Sequence, residues 1–243
     1  MKPVSHRVAL AVLGGALLLG GCSQQGAPAP SAAQQQAQAQ AADAARNLDT
    51  YRQLLRIGND AMAVELGHDI LKRYPGSPAA TEVQQTLPPI EKRWQEVSEK
   101  NRLAALWLYQ VAPMAGGTQS TASIESSGEL GSTPVRLVLR RHAAWGQNVF
   151  LYGSGHGFVC RGNCTLPATV DGRPMGIKAY APSTGEPALM IRDDRAFIAL
   201  LRKARKITLT VTPVDGEKPL QLVYEVGGFD PAKWAPLPRH GKP

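Results

Sequence analysis

No Phe, Trp or Tyr occurs before Tyr51, and no Asp or Glu before Asp43. With so few aromatics in 243 residues, and none of them early, the opening fifth of the chain has nothing from which to build a core. Long apolar runs are missing too. The longest, residues 8–19, falls short of the roughly 20 residues that a membrane-spanning helix needs, which argues against a polytopic helical membrane protein. Glycine and proline are plentiful, at 24 and 19, but they lack the period of collagen. Cysteine is scarce: Cys22, Cys160 and Cys164 are all there are. About 200 residues remain to fold, enough for one domain of ordinary size and a smaller unit.

The apolar run lies between Lys2 and Arg7 on one side and Gly20-Gly21-Cys22 on the other, the order of charge, apolar stretch and small residues found in an export signal. Leu19-Gly20-Gly21-Cys22 resembles the lipobox of bacterial lipoproteins. The resemblance implies that residues 1–21 are a signal peptide and that Cys22 carries palmitate-type acyl chains. At about 0.8 kcal/mol per buried methylene, such chains form a stable anchor. Ser23, where inner-membrane lipoproteins carry Asp, implies the periplasmic face of the outer membrane. Residues 22–42 hold no charge and nothing larger than Gln, so they are expected to be a lipidated, disordered tether with a reach of ~25 Å. The Gln/Ala run leaves open a helix extending back into its second half.

Residues 43–105 have helical period. Leu48, Tyr51, Leu54 and Leu55 form one face before Gly58-Asn59; a second helix, capped by Asp60, is expected to bury Met62, Val64, Leu66, Ile70 and Leu71. Tyr74-Pro75-Gly76-Ser77-Pro78 ends it, and so short a turn requires antiparallel packing. A third helix is expected after Pro88-Pro89, with Ile90, Trp94 and Val97 on one stripe. Residues 63–87 resemble the second helix and turn of a tetratricopeptide repeat, but one and a half units do not make a solenoid, which implies an isolated helical hairpin. His68 has no metal-ligand partner at i+3 or i+4 and reads as a surface or structural residue.

Beyond Trp107 the period falls to two. Segments 122–126, 135–140, 148–152, 157–160, 165–170, 176–180 and 188–191 recur between Gly, Pro and Asp breaks, the pattern of antiparallel strands. Asp193-Asp194 cap one helix that turns Phe197, Leu200, Leu201 and Ala204 inward and Arg195, Arg202, Lys203, Arg205 and Lys206 outward. Ile207, Leu209 and Val211 then pair across a Val214-Asp215-Gly216-Glu217 turn with Leu222, Tyr224 and Val226. The fold class is therefore α+β: an N-terminal helical hairpin and, over residues 106–234, an antiparallel β-sandwich-like domain with one packed helix. Residues 235–243 form a Pro-rich tail.

With Cys22 assigned to lipid and the periplasm oxidising, Cys160 and Cys164 are expected to form a disulfide. His156-x3-Cys160-x3-Cys164 leaves a Cu(I) or zinc site as the competing reading, and the site assignment favours no metal. Gly153-Ser154-Gly155-His156-Gly157 opens no helix, so it is a turn and not a dinucleotide loop. Ser154 and His156 lack a nearby orienting carboxylate in sequence and no Gly-x-Ser-x-Gly elbow exists, so no catalytic residues and no cofactor are assigned.

Charge is unevenly divided. Residues 43–102 hold nine basic and nine acidic residues, whereas residues 103–243 hold 16 Lys and Arg against 10 Asp and Glu. The densest part is Arg195, Arg202, Lys203, Arg205 and Lys206, the expected contact for a protein or anionic envelope partner; an exported chain is not expected to meet nucleic acid. Residues 106–234 are also similar to a family of periplasmic domains that includes type VI secretion accessory proteins. The matching residues are Trp107-Leu108-Tyr109, Ala122-Ser123-Ile124-Glu125-Ser126, residues 137–140, Phe158-Val159-Cys160 with Cys164, Val170-Asp171, residues 197–204 and Val226-Gly227-Gly228-Phe229. The resemblance implies a non-catalytic binding or assembly module of an envelope complex. The alternatives are an immunity or inhibitor lipoprotein against a cell-wall-degrading toxin or lysozyme, and a cell-wall-acting enzyme. The latter would need His142, His156 and acids to converge on a cleft.

Overall fold

The computed structural model describes residues 31–127, 134–216 and 218–237. The signal peptide, Cys22 and the last residues of the tail lie outside the described residues. Three helices, α1 (Ala32–Arg56), α2 (Asp60–Arg73) and α3 (Pro78–Ala105), precede a β-rich half, so the α+β class with an N-terminal helical region holds. α1 starts at Ala32, where Ser31 and Gln34 form a reciprocal capping box, so the Gln/Ala stretch of the expected tether is helical from that point.

Ala44, Leu48, Tyr51 and Leu54 of α1 meet Ala63, Val64 and Ile70 of α2 and Val83, Leu87 and Ile90 of α3 in one cluster. The Tyr51 hydroxyl lies 3.0 Å from the Thr86 hydroxyl. Two details differ from the sequence reading. Asn59 caps α2, accepting from the Met62 N–H, while Asp60 binds Arg93 of α3 at 2.5 Å. Met62 is 54% exposed, because α2 turns Ala63 and Val64 inward instead.

α3 begins at Pro78, about three turns before the start expected after Pro88-Pro89. Ser77 caps it, accepting from the Ala80 N–H at 3.1 Å, and Pro78 occupies the first turn, where its missing N–H is harmless. The helix continues through Pro88 and Pro89. Those prolines deprive the Gln84 and Gln85 carbonyls of i+4 donors, but both glutamines and both prolines are exposed, so water can satisfy the freed groups. Val83, Leu87 and Ile90 hold the helix to the cluster on both sides of the break. Past Ile90, α3 leaves the cluster, and Trp94 and Val97 are exposed instead of forming a buried stripe.

The remaining elements are β1 (Leu108–Met114), β2 (Gly117–Glu125), β3 (Arg136–His142), β4 (Gly146–Tyr152), β5 (Asn163–Val170), β6 (Arg173–Tyr180), β7 (Ala188–Ile191), α4 (Asp194–Leu201), β8 (Ile207–Val211) and β9 (Leu220–Tyr224). They build one antiparallel sheet in the order β1-β2-β3-β4-β7-β6-β5-β8-β9. The sheet curls over its own core until Val223 of β9 bridges Ser127, just past β2. Segment 157–160, expected as a strand, contributes only the bridge Phe158–Pro213, since Gly155 and Gly157 take positive φ there. Conversely, β1 has no counterpart in the expected strands. The inner face carries Ala122, Ile124, Leu137, Leu139, Val149, Leu151, Leu189 and Ile191, and α4 closes part of it with Phe197, Ile198 and Leu201.

The helical and β-rich units join at the end of α3. Arg102 holds Glu99 on its own helix and Glu225 beyond β9, at 2.7 to 3.0 Å. A side chain at Gly228, in the 3-10 turn Val226–Gly228, would stand 2.2 Å from the Leu103 carbonyl, so only glycine permits this approach.

Candidate functional site

Side chains alternate across a strand, so the residues between the core positions build a second face. Gln119, Thr121 and Ser123 of β2, Val138 and Arg140 of β3, and Asn148, Phe150 and Tyr152 of β4 occupy it, in step with the inter-strand register. Tyr180 of β6 and Met190 of β7 extend it. Gln110 and Met114 of β1 wall one side, the β6–β7 connection with Pro182 and Glu186 the other, and Trp145 of the β3–β4 turn one end. The result is an open groove of about 800 Å³. That volume falls within the ~300–1,000 Å³ of ordinary ligand pockets.

Arg140 sits at the centre, directly across from Thr121 and Asn148. Its guanidinium carbon lies 5.1 Å from the ring centroids of both Trp145 and Phe150, a double cation–π contact. One Nη donates to the Asn148 side-chain oxygen at 3.1 Å. The buried Nε–H has no protein partner, and among the described residues no carboxylate forms an ion pair with Arg140. Burial lowers its pKa and the charge of Glu186 acts in the opposite sense. Glu186 itself accepts from the Thr184 hydroxyl. At the far end Arg136 is neutralised by Glu125 at 2.9 Å.

His142 supports this groove without entering it. Buried and stacked 3.8 Å from Trp145, it accepts the Ala144 and Trp145 N–H groups at Nδ1 and so fixes the turn that positions the indole.

The residues assigned from sequence lie elsewhere. Cys160 and Cys164 are bonded, with sulfurs 2.09 Å apart. His156 is drawn away from them to Asp215, which it contacts at 2.6 Å through Nδ1 and 2.9 Å through its backbone N–H. These bonds, the backbone one first, lower the Asp215 pKa. Sequence spacing had shown no carboxylate near His156; the structure supplies one from 59 residues away, across the β8–β9 turn. Ser154 makes no hydrogen bond to His156, and both members of the pair are exposed, so the contact clamps two turns. Among the described residues no group of three or more His, Cys, Asp or Glu could hold a metal. His68 reaches Glu91 at 2.7 Å on the surface of the helical unit.

Arg195, Arg202, Lys203, Arg205 and Lys206 are all exposed. α4 ends at Leu201, so only Arg195 is on the helix and the other four line the segment leading into β8. The Arg205 and Lys206 N–H groups donate to Asp171 in the β5–β6 turn, which fixes that segment. Arg202 lies near Arg141, whose pKa falls through burial and then through that positive neighbour. Arg141 adjoins Arg140 and points to the other face, so the basic segment and the groove lie on opposite sides of the sheet. The groove had one signature in sequence: Val149-Phe150-Leu151-Tyr152 is apolar at every position, as in a strand covered on both faces. No family model, no curated protein and no solved structure matches the chain.

Proposed function

We propose that the chain is a lipoprotein held at the periplasmic face of the outer membrane by Cys22, and that its β-rich half binds an anionic envelope partner without catalysis. One contrast carries this reading. The helical unit pairs most of its arginines internally: Arg46 with Asp43, Arg52 with Glu82, Arg73 with Asp69, Arg93 with Asp60 and Arg102 with Glu99. The five cations at Arg195, Arg202, Lys203, Arg205 and Lys206 form no ion pair with any described residue and face solvent. Asp171, Glu99 and Glu225 offset part of this charge, and the exposed excess of one sign attracts and orients a partner of the other sign. The proposed assembly is an envelope complex, of which the secretion machinery suggested by the resemblance is one example.

The test is co-sedimentation of the full-length chain with isolated cell-wall sacculi and with outer-membrane vesicles, at low and high salt. Association that weakens with salt and with Arg202→Ser, Lys203→Ser, Arg205→Ser and Lys206→Ser combined is the expected result. Salt-independent association, or none, would remove the basic segment from the reading.

A further inference from the structure

The groove on the opposite face is not explained by the basic segment, and its chemistry is more specific. A desolvated guanidinium is usually paired with a carboxylate, because an isolated buried charge is costly. Arg140 hydrogen-bonds only to the neutral Asn148 oxygen, and Glu186 on the groove wall acts on it by charge without pairing with it, while the Trp145 and Phe150 rings pack against it. An acid brought by a ligand would complete it, and a carboxylate fits the guanidinium fork with two parallel hydrogen bonds.

The surroundings restrict what carries that acid. Trp145 and Tyr152, 49% and 45% exposed, offer flat apolar surfaces. Gln110, Gln119, Thr121 and Ser123 offer amides and hydroxyls along the floor and wall. A fatty acid would satisfy Arg140 and the apolar lining of Val138, Phe150 and Met190, but it would leave the Gln110, Gln119, Thr121 and Ser123 amides and hydroxyls without partners. A sugar acid satisfies all three, with C–H faces for the rings, hydroxyls for the Gln, Thr and Ser side chains, and a carboxylate for the cation. We propose that this groove binds a carboxylated oligosaccharide, with Arg140 receiving the carboxylate and Trp145 and Tyr152 stacking on the sugar rings.

The proposal extends the binding role stated above to a second surface and a defined ligand class. It is tested by isothermal titration of the full-length chain, extracted in a non-ionic detergent, with tetragalacturonate and a hyaluronan tetrasaccharide. The controls are methyl-esterified tetragalacturonate, maltotetraose and benzoate. Saturable binding of at least one acidic tetrasaccharide is expected, at least tenfold weaker after esterification and for maltotetraose. Arg140→Gln should also weaken it at least tenfold, and Trp145→Ala should weaken acidic and esterified sugars alike. The esterification comparison uses unaltered protein, so it stands even where a variant fails to fold.

Binding of neither acidic sugar, equal binding of acid and ester, or equal affinity for benzoate would overturn the proposal. Loss of binding in the Arg202, Lys203, Arg205 and Lys206 variant with Arg140→Gln unaffected would also overturn it, while leaving the basic-surface reading in place. Failure in the sedimentation experiment alone would do the reverse.

Discussion

Trp234, the last residue before the Pro-rich tail, is 1% exposed. Its Nε1–H donates to the Ser120 carbonyl at 3.1 Å, Arg141 stacks on its ring at 3.7 Å, and Arg141 also donates to its carbonyl at 2.7 Å. An indole buries ~150–250 Å². At ~25 cal/mol per Å² that is about 4–6 kcal/mol of transfer free energy. Alanine retains little of it and leaves the Ser120 carbonyl without its donor, a further loss of about 1 kcal/mol. Relaxation of the chain end recovers part, so Trp234→Ala should destabilise the β-rich unit by about 3–5 kcal/mol. Trp234→Phe keeps most of the packing and the ring under Arg141, and should lose about 1–2 kcal/mol. The helical unit has its own core, so whole-molecule signals would mix two transitions. Urea unfolding should therefore be read by hydrogen exchange of peptides from β3. A loss under about 1 kcal/mol for Trp234→Ala would refute the reasoning, as would equal losses for the two variants.

Reducing Cys160–Cys164, which closes a loop around three residues, should lower stability by about 2 kcal/mol and leave the sheet folded. Urea midpoints with and without reductant check this, and unfolding on reduction would contradict it. Gly228→Ala places a methyl 2.2 Å from the Leu103 carbonyl, an overpacking loss of about 1–3 kcal/mol; Gly227→Ala, whose nearest contact is a Leu103 methyl at 3.4 Å, should be nearly neutral. Exchange rates at the end of α3 distinguish the two. Hydrogen bonds from arginine hold the carboxyls of Asp60, Glu82 and Glu225 below their usual pKa. A carboxyl depressed in the folded state contributes its full stability above the unfolded pKa and loses it as pH falls through the folded one. Stability should therefore decline as acidification proceeds below the ordinary carboxylate range, with Arg93→Gln and Arg52→Gln flattening that decline in an acid titration of urea midpoints.

The period-two segments between Gly and Pro breaks located most strands of the β-rich half, because alternation is imposed directly by one buried face. The capped helix before β8 and the final hairpin were legible for the same reason. α3 was misplaced because Pro88-Pro89 is a strong local stop signal, and only tertiary packing of Val83, Leu87 and Ile90 shows why the helix survives it. β1 was missed because its alternation is weak and Pro113 interrupts it. The groove is a product of register. Arg140, Thr121 and Asn148 become neighbours only when three strands align, and the Trp145 position depends on the buried His142 at the end of β3. Charge asymmetry, by contrast, needs no fold and pointed directly to the basic segment.

The placement of the chain, and with it the class of partner it can meet, rests on Cys22. Mass analysis of the N-terminal peptide from membrane-derived protein tests this directly. The expected result is a chain that begins at Cys22 with diacylglyceryl and acyl groups attached, and that leaves the membrane fraction in a Cys22→Ser variant. A mature chain beginning elsewhere, or an unmodified Cys22 thiol, would contradict the lipoprotein reading and the envelope partner built on it.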